Sequence, residues 1–478
     1  MAKPFEAITK RNVQKKVRSY EIILVGKNKD TEKFIRPYNL HVKVFHHLNP
    51  YFYREDGMFY VWEETTCVYV PIDVYSLINT VSRVLQLIEP ITSSNEFKEY
   101  VHRLKVYGEK NRPEELPKQY IQFKDKYYDV NKQKFYPATP KYFNTNYISY
   151  SPSKDNETPT IDRLFKSWVG ADKILLLKEI FAYCLYQGMP IHKIFVFAGH
   201  GRNGKSQLLK MMRRYFGMHN VVAANLKNLT VNRFATYPLY RKLAVLMGET
   251  ERFVLESTTI LKEMSGGDLI TYERKGADSF SDENYTKIVM STNHLPVTND
   301  DSVGFYRRWL IIKFPNTFQA GKDVFEQITD AEYCAFSRQL VKILPKLIQR
   351  GAFSYDPTDD EAKEAYLEYS NPIVSCVNKI FHYKHPHGCT KEVLVSEFAL
   401  VFNRYLSQNG FARLSMRQIQ NRIEKSLDGV TYVYDREYAV TSIGWGTVCG
   451  FCDAALKNES DVPPDNLVDE KVVVEDVI

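Results

Sequence analysis

The run Gly199-His-Gly-Arg-Asn-Gly-Lys-Ser206 constrains this chain more than any other feature, and it follows directly on the apolar stretch Ile194–Phe197. A glycine-rich turn between a buried strand and a helix lets backbone N–H groups point inward around an anion. The next segment, Gln207–Tyr215, has helical spacing, and the positive end of that helix favours the same anion. The pattern demands a strand–loop–helix unit, and strands alternating with helices to about residue 315 predict an α/β sheet core. In that setting Gly199, Gly201, Asn203, Gly204, Lys205 and Ser206 are the expected nucleotide-binding residues. Lys205 would reach the β- and γ-phosphates and Ser206 would hold Mg²⁺, which makes ATP and Mg²⁺ the expected ligands.

A chain of 478 residues has room for two to four domains. Its net charge of +7 is unevenly spread. Residues 453–478 carry eight acidic and two basic residues, which leaves +13 on the remainder. A basic body with an acidic tail suits a nucleic-acid-binding protein. Met1-Ala-Lys-Pro-Phe-Glu lacks a signal-peptide apolar core, and no run of 18 apolar residues occurs, so a cytoplasmic protein without membrane contact is expected. Seven scattered cysteines do not suggest a disulfide framework. Cys449 and Cys452 have only the His382, His385, His387 and Cys389 group as candidate co-ligands, so no zinc site is expected.

The chain divides into expected units. Residues 1–115 read as an α+β domain of unassigned role that opens on a basic stretch, and Glu114–Lys118 reads as a linker. Residues 119–190 read as strands then helices, with Leu175, Leu176, Ile180, Phe181 and Cys184 on one buried face. The sheet core occupies 191–350, a smaller unit 371–445, and an unstructured acidic tail 453–478.

Downstream of the phosphate loop, Lys242–Gly248 reads as a buried strand ending in Glu249 and Glu251. Acids at the carboxyl end of a sheet strand face the ligand crevice. Glu249 is assigned to the metal side and Glu251 to the attacking water, although exchanging the two roles fits the same pattern. A second strand, Thr286–Asn293, ends in a side chain able to bond the γ-phosphate or the water. Ile270–Phe280 reads as a hairpin tipped by Arg274 and Lys275, suited to a phosphate backbone. Arg307-Arg308 precedes an apolar strand, where a guanidinium can meet developing phosphate charge, in trans if it acts on a neighbouring subunit.

Six segments in this order, Gly199–Ser206, Gly248–Glu251, Lys262–Asp268, Glu273–Lys275, Thr292–Pro296 and Arg307–Arg308, resemble the superfamily 3 helicases. The resemblance is closest to the group found in poxvirus primase-helicases and in phage and plasmid replication proteins. It implies an AAA+-like ATPase core and a ring, usually a homo-hexamer, with ATP between subunits. It further implies single-stranded DNA in the channel, gripped by Lys275 and Arg274, and 3′→5′ translocation. Arg308 is its first choice for the trans arginine, closely followed by Arg307. Gly248 stands where the group often has Ser, and residues 1–190 lack an apolar-flanked Asp-x-Asp pair. Priming would then fall to a separate primase. An ATP-driven remodeller or loader without processive unwinding is the alternative, and a small-molecule kinase a more distant one.

Residues 371–445 read as a winged helix, with helices at Asn371–Phe381, Val393–Asn409 and Ser415–Leu427 and wing strands at Val430–Tyr434 and Arg436–Val440. The third helix would present Arg417, Gln418, Asn421, Arg422 and Lys425 outward, a surface suited to double-stranded DNA or to a protein partner. Winged helices also follow the ATPase in the group resembled.

Overall fold

The computed structural model describes residues 37–85, 87, 91, 93–199, 201–248, 253–276, 278–319, 324–373, 375–376, 393–408, 413–419, 430–435 and 440–445. The basic stretch 1–20, Glu249, Glu251, Asn421, Arg422, Lys425, the 382–389 His/Cys group, Cys449, Cys452 and the acidic tail lie outside the described residues. The fold is mixed α/β, with many helices around a parallel sheet.

The first unit packs α1 (Tyr38–Leu48), α2 (Val74–Leu85) and α3 (Ser94–Lys110) against an antiparallel sheet of β1 (Tyr51–Tyr53), β2 (Phe59–Glu63) and β3 (Val68–Ile72). Val42, Phe45, Leu77, Val81, Tyr100 and Leu104 fill its core. The expected linker is a correction. β4 (Glu114–Glu115) pairs in parallel with β8 (Tyr142–Phe143), and Leu116 is buried. Between them, β5 (Tyr120–Phe123), β6 (Lys126–Asp129) and β7 (Lys134–Pro137) form a meander.

Two helices follow, α4 (Pro159–Val169) and α5 (Ile174–Leu185). Pro159 opens α4 where a missing N–H costs nothing. The Ile161 N–H donates to Glu332 Oε1 at 2.8 Å, which satisfies a helix-end donor that would otherwise be orphaned. In α5, Leu175 is exposed, contrary to its expected place on the buried face, and Leu177 is buried instead.

The central sheet is built from β9 (Ile194–Ala198), β10 (Val221–Ala223), β11 (Ala244–Met247), β15 (Lys287–Thr292) and β17 (Trp309–Lys313). Their order is β10-β11-β15-β9-β17, all parallel. The helices interleaved with them include α6 (Lys205–Phe216), α7 (Leu226–Val231), α8 (Thr259–Gly266) and α9 (Val303–Tyr306). Strand residues alternate between two cores, as the two-residue period of a strand requires. Phe195, Phe197, Val289, Leu310 and Ile312 face α4, α5, α6 and α10 (Asp330–Arg350). Ile194, Val196, Val245, Met290 and Trp309 face α8, α11 (Asp359–Ser370) and α12 (Val395–Gln408). A parallel sheet covered on both faces reads as near-continuous apolar runs, and Ile194–Ala198 is buried at every position. Burial contributes about 1.5–3 kcal/mol for each large side chain.

A polar seam joins the 142–150 segment to the sheet unit. Asn146 Nδ2 donates to Asn220 Oδ1 at 2.8 Å and to the Arg241 carbonyl at 2.9 Å. Gln187 Nε2 donates to Asn144 Oδ1 at 2.9 Å, and Asn220 Nδ2 to the Tyr147 carbonyl at 2.7 Å.

At the C-terminal end, β18 (Val393–Leu394) pairs with β20 (Val440–Trp445), which pairs with β19 (Val430–Asp435). The second wing strand therefore lies later than the expected 436–440, and the helix expected from Val393 begins after a strand. Phe402, Tyr405, Leu406 and Ile419 join the core under the central sheet. Among the described residues no helix is long and apolar enough to cross a membrane, and no group of His, Cys, Asp and Glu is placed to hold a metal.

Lys287, the first residue of β15, is fully buried. Its ammonium bonds the Tyr186 carbonyl and lies 5.0 Å from the Tyr183 ring centroid. Burial lowers its pKa to about 7. The unfolded chain, with an ordinary lysine pKa, binds more protons between that value and about 10.4, so folding stability rises with pH across this window. In chemical denaturation at pH 6.5 and 9.5, Lys287→Met should remove that rise. The wild type should gain on the order of a few kcal/mol relative to the variant between the two pH values.

Candidate functional site

The loop after β9 is shaped by close approaches. A Cβ at Gly199 would fall 2.1 Å from Asn203 Nδ2 and 2.8 Å from the Phe314 carbonyl, so only glycine fits. Gly204 has φ +91°, and a Cβ there would fall 2.4 Å from Trp168 Cδ1. Trp168, the penultimate residue of α4, is buried against the loop. Gly204 is also the N-cap of α6, and no side chain caps that helix end. Its first-turn N–H groups and the positive end of its dipole are the kind of donors an anion uses.

Lys205 is 4% exposed. Its ammonium donates to the Gly199 carbonyl at 2.5 Å, to Asn203 Oδ1 at 2.9 Å and to Asn293 Oδ1 at 3.0 Å. Asn293 follows the last residue of β15, which neighbours β9, so the sheet itself brings these two side chains together. Asn203 also bonds the Phe314 carbonyl at 3.4 Å, tying the loop to the end of β17.

Beside the loop lies a cleft of about 700 Å³, lined by Gly201–Gln207 and Ser291 on one side. Leu164, Trp168, Phe318 and Val324 supply an apolar wall, and Arg163 and Gln327 stand at its edge, joined at 2.9 Å. A volume of that order, with polar groups of the loop facing an apolar wall, suits a polar small-molecule ligand. Sequence reasoning missed this wall, because Arg163, Leu164 and Trp168 lie 31 to 36 positions before Gly199 on a helix read only as core.

β11 runs toward the same edge. Met247 pairs with Met290, which pairs with Val196, so the strand leading to the two expected carboxylates ends two residues short of Ala198, the last residue of β9. Gly248 is its last described residue.

Arg307 and Arg308 sit at the opposite edge. Arg308 precedes Trp309, the partner of Ile194, and its carbonyl accepts the Ile194 N–H at 2.6 Å. Five strand residues separate this point from Gly199, roughly 16 Å at strand rise. Arg308 donates from Nε to Ser265 Oγ at 3.1 Å and from Nη1 to the Gly304 carbonyl. Burial and the neighbouring Arg307 lower its pKa, against Asp268 and Asp300. Arg307 is exposed. Lys262, of the expected Lys262–Asp268 segment, pairs with Asp300 at 2.5 Å.

The expected hairpin is present as β13 (Leu269–Tyr272) and β14 (Phe280–Glu283). Lys275 is exposed at its tip. Arg274 instead turns back, with Nη1 3.0 Å from Met58 Sδ and 3.4 Å from Tyr237 OH. In the C-terminal unit Arg417 and Gln418 are exposed and Ile419 is buried.

Residues 197–308 match the model of a family of unknown function (DUF5906), and residues 32–170 match the D5 N terminal like family. The second match runs across the 114–118 segment and ends at the close of α4. No curated protein matches the chain. Among solved structures, the A form apo structure of the NrS-1 C-terminal region is similar at 14% identity over 85% of this chain and 98% of that chain, with a TM-score of 0.43. A second A form apo structure, of its residues 305–718, matches at 13% identity over 86% of this chain and 100% of that chain, with the same TM-score of 0.43.

The loop geometry separates two glycines. Gly204→Ala should depress the melting temperature, since the new methyl meets Trp168. At Gly201 a Cβ meets nothing within 4 Å, so Gly201→Ala should cost only about 1 kcal/mol of backbone strain. Equal losses from both variants would contradict the packing role of Trp168.

Proposed function

We propose that the chain is an ATP-dependent DNA helicase of a replication system, working as a ring with ATP hydrolysed at subunit interfaces and moving 3′→5′ on single-stranded DNA. The observation that carries this reading is the polarity of the central sheet. The phosphate loop lies at the carboxyl edge of β9 and the tandem arginine lies at the amino edge of β17. Arg307 is too far from its own loop to act there. An exposed arginine at that edge is useful to a phosphate only across a subunit boundary. Arg307 is thus the better trans residue, since Arg308 is bonded to its own chain. The strand order, with β9 between β15 and β17, agrees with an AAA+-like core. The D5 N terminal like match agrees with the primase-helicase resemblance of the sequence.

On this reading α6 and the loop N–H groups bind the phosphates, and Lys205 exchanges its neutral oxygen partners for the β- and γ-phosphate oxygens. Asn293, released from Lys205, bonds the γ-phosphate or the attacking water. Of Glu249 and Glu251, one would help hold the metal and the other would take the proton of the water. Ser206, which lines the cleft, would hold Mg²⁺ together with one of these acids. The ion would neutralise charge on the β- and γ-oxygens. Arg307 of the next subunit would stabilise charge on the transferred phosphoryl group, an effect worth ~10³-fold or more in rate. The output is the hairpin, whose Lys275 grips the DNA backbone. The C-terminal unit, in this account a winged helix, presents Arg417 to duplex DNA or a partner protein.

Lys275→Ala should abolish strand separation while leaving basal ATP hydrolysis nearly intact. Duplexes with a single 3′ or 5′ tail should be opened only from the 3′-tailed strand. Unwinding by Lys275→Ala at the wild-type rate would remove the translocation reading and leave the remodeller or loader. A second check is dilution. ATP hydrolysis per subunit should fall steeply below the ring threshold, and a rate that stays flat into monomer would remove the shared site.

A further inference from the structure

The basic hairpin is gripped along its length by one turn of the first unit. At its second strand, Asp282 accepts from Arg54 at 2.9 Å and from the Tyr240 hydroxyl at 3.1 Å, with Arg241 at 3.8 Å. Arg54 also pairs with Glu115, and Arg241 pairs with Glu115 at 2.8 Å. Both guanidinium groups lie over the Phe143 ring, at 4.9 and 4.2 Å from its centroid. Two cations and two anions from four separate chain segments thus close around one aromatic face. Nearer the tip, Arg274 meets Met58. Arg54 and Met58 bracket the single turn between β1 and β2, so the same turn holds the hairpin at two levels.

The burial of this cluster is unequal. The side chains of Arg54 and Arg241 are 8% and 11% exposed, whereas that of Glu115 is 51% exposed. The guanidinium groups are therefore the desolvated members, and removing a carboxylate partner leaves buried charge uncompensated. Arg54 reaches two acids at once with its planar fork, which a lysine cannot reproduce. A surface ion pair would hold nothing in place. A shared, mostly buried cluster fixes a stance.

We infer that the turn 54–58 is a positioning element for the hairpin, with Arg54 acting on the DNA grip through Asp282. The inference rests on the reading of the hairpin as the DNA-gripping element. It gives the first unit, left without a role by its sequence, a mechanical one. That unit sets where the tip stands, and it travels with the hairpin when ATP turnover moves it.

The test is a double-mutant cycle on the full chain with Arg54→Met and Asp282→Asn. Each single variant should keep basal ATP hydrolysis and lose about tenfold in single-stranded-DNA stimulation of that rate. The double variant should lose less than the product of the two single losses, because both singles remove the Arg54–Asp282 pair while each also removes contacts of its own. Arg54→Lys should rescue only in part. Arg112→Met, which removes an exposed pair with Glu55 in the same unit, should leave stimulation unchanged. Met58→Ala provides an independent measure should Arg54→Met fail to fold. It should raise the half-saturating DNA concentration severalfold at unchanged maximal rate. Lys275→Ala run in parallel separates the two claims. If Lys275→Ala loses stimulation while folded Arg54→Met and Met58→Ala keep it, the positioning role is wrong and the hairpin reading stands. If Lys275→Ala is silent, the hairpin reading itself fails.

Discussion

Among the described residues, three neutral oxygens accept from the Lys205 ammonium and tie the candidate site together. One belongs to Gly199 at the start of the loop, one to Asn203 within it, and one to Asn293 on the neighbouring strand. A buried cation must be paired or fully hydrogen-bonded, so this triad fixes the loop relative to β15 before any anion arrives. The triad in turn depends on the sheet. β9 and β15 are in register from Phe195 with Val289 to Ala198 with Thr292, and that register delivers Asn293 to Lys205. The alternation of Phe195 and Phe197 with Ile194, Val196 and Ala198 locks the register, because a one-residue slip would exchange the two cores.

Parallel strands give the sheet a direction, and direction separates functions. The glycine loop, Lys205 and Asn293 lie at one edge. The tandem arginine lies at the other. Within one subunit these groups have no chemistry in common, and in the proposed ring they become neighbours across an interface. The hairpin sits between α8 and β15 in the chain, so it is joined directly to a strand of the central sheet.

Much of this was legible in the residues. The loop, its strand and helix, β11, β15, β17 and the hairpin all fall within a few residues of their expected places, since each is set by local periodicity or by glycine. Apart from Leu175, the misses share a cause in tertiary contacts between distant segments. Glu114–Lys118 looks like a linker because its composition is polar, yet Glu115 is held by Arg54 and Arg241 and Leu116 by burial. Leu175 fits an apolar stripe and is exposed because it lies at the first turn of α5. Arg274 and Lys275 are equivalent by sequence, and only the approach of Met58 and Tyr237 separates them. Arg308 appeared the better finger by its place before the strand. Its bonds to Ser265 and Gly304 are invisible without the fold.

In the proposed ring each ATP site is shared by two subunits, with Lys205 from one and Arg307 from the next. Mixing two inactive variants tests it directly. Lys205→Ala and Arg307→Ala subunits, each dead alone, should regain ATP hydrolysis when mixed. Some interfaces in the mixed ring would pair an intact Lys205 with an intact Arg307. Full hydrolysis by Arg307→Ala alone, or a co-assembled mixture that stays as inactive as its parents, would contradict the claim.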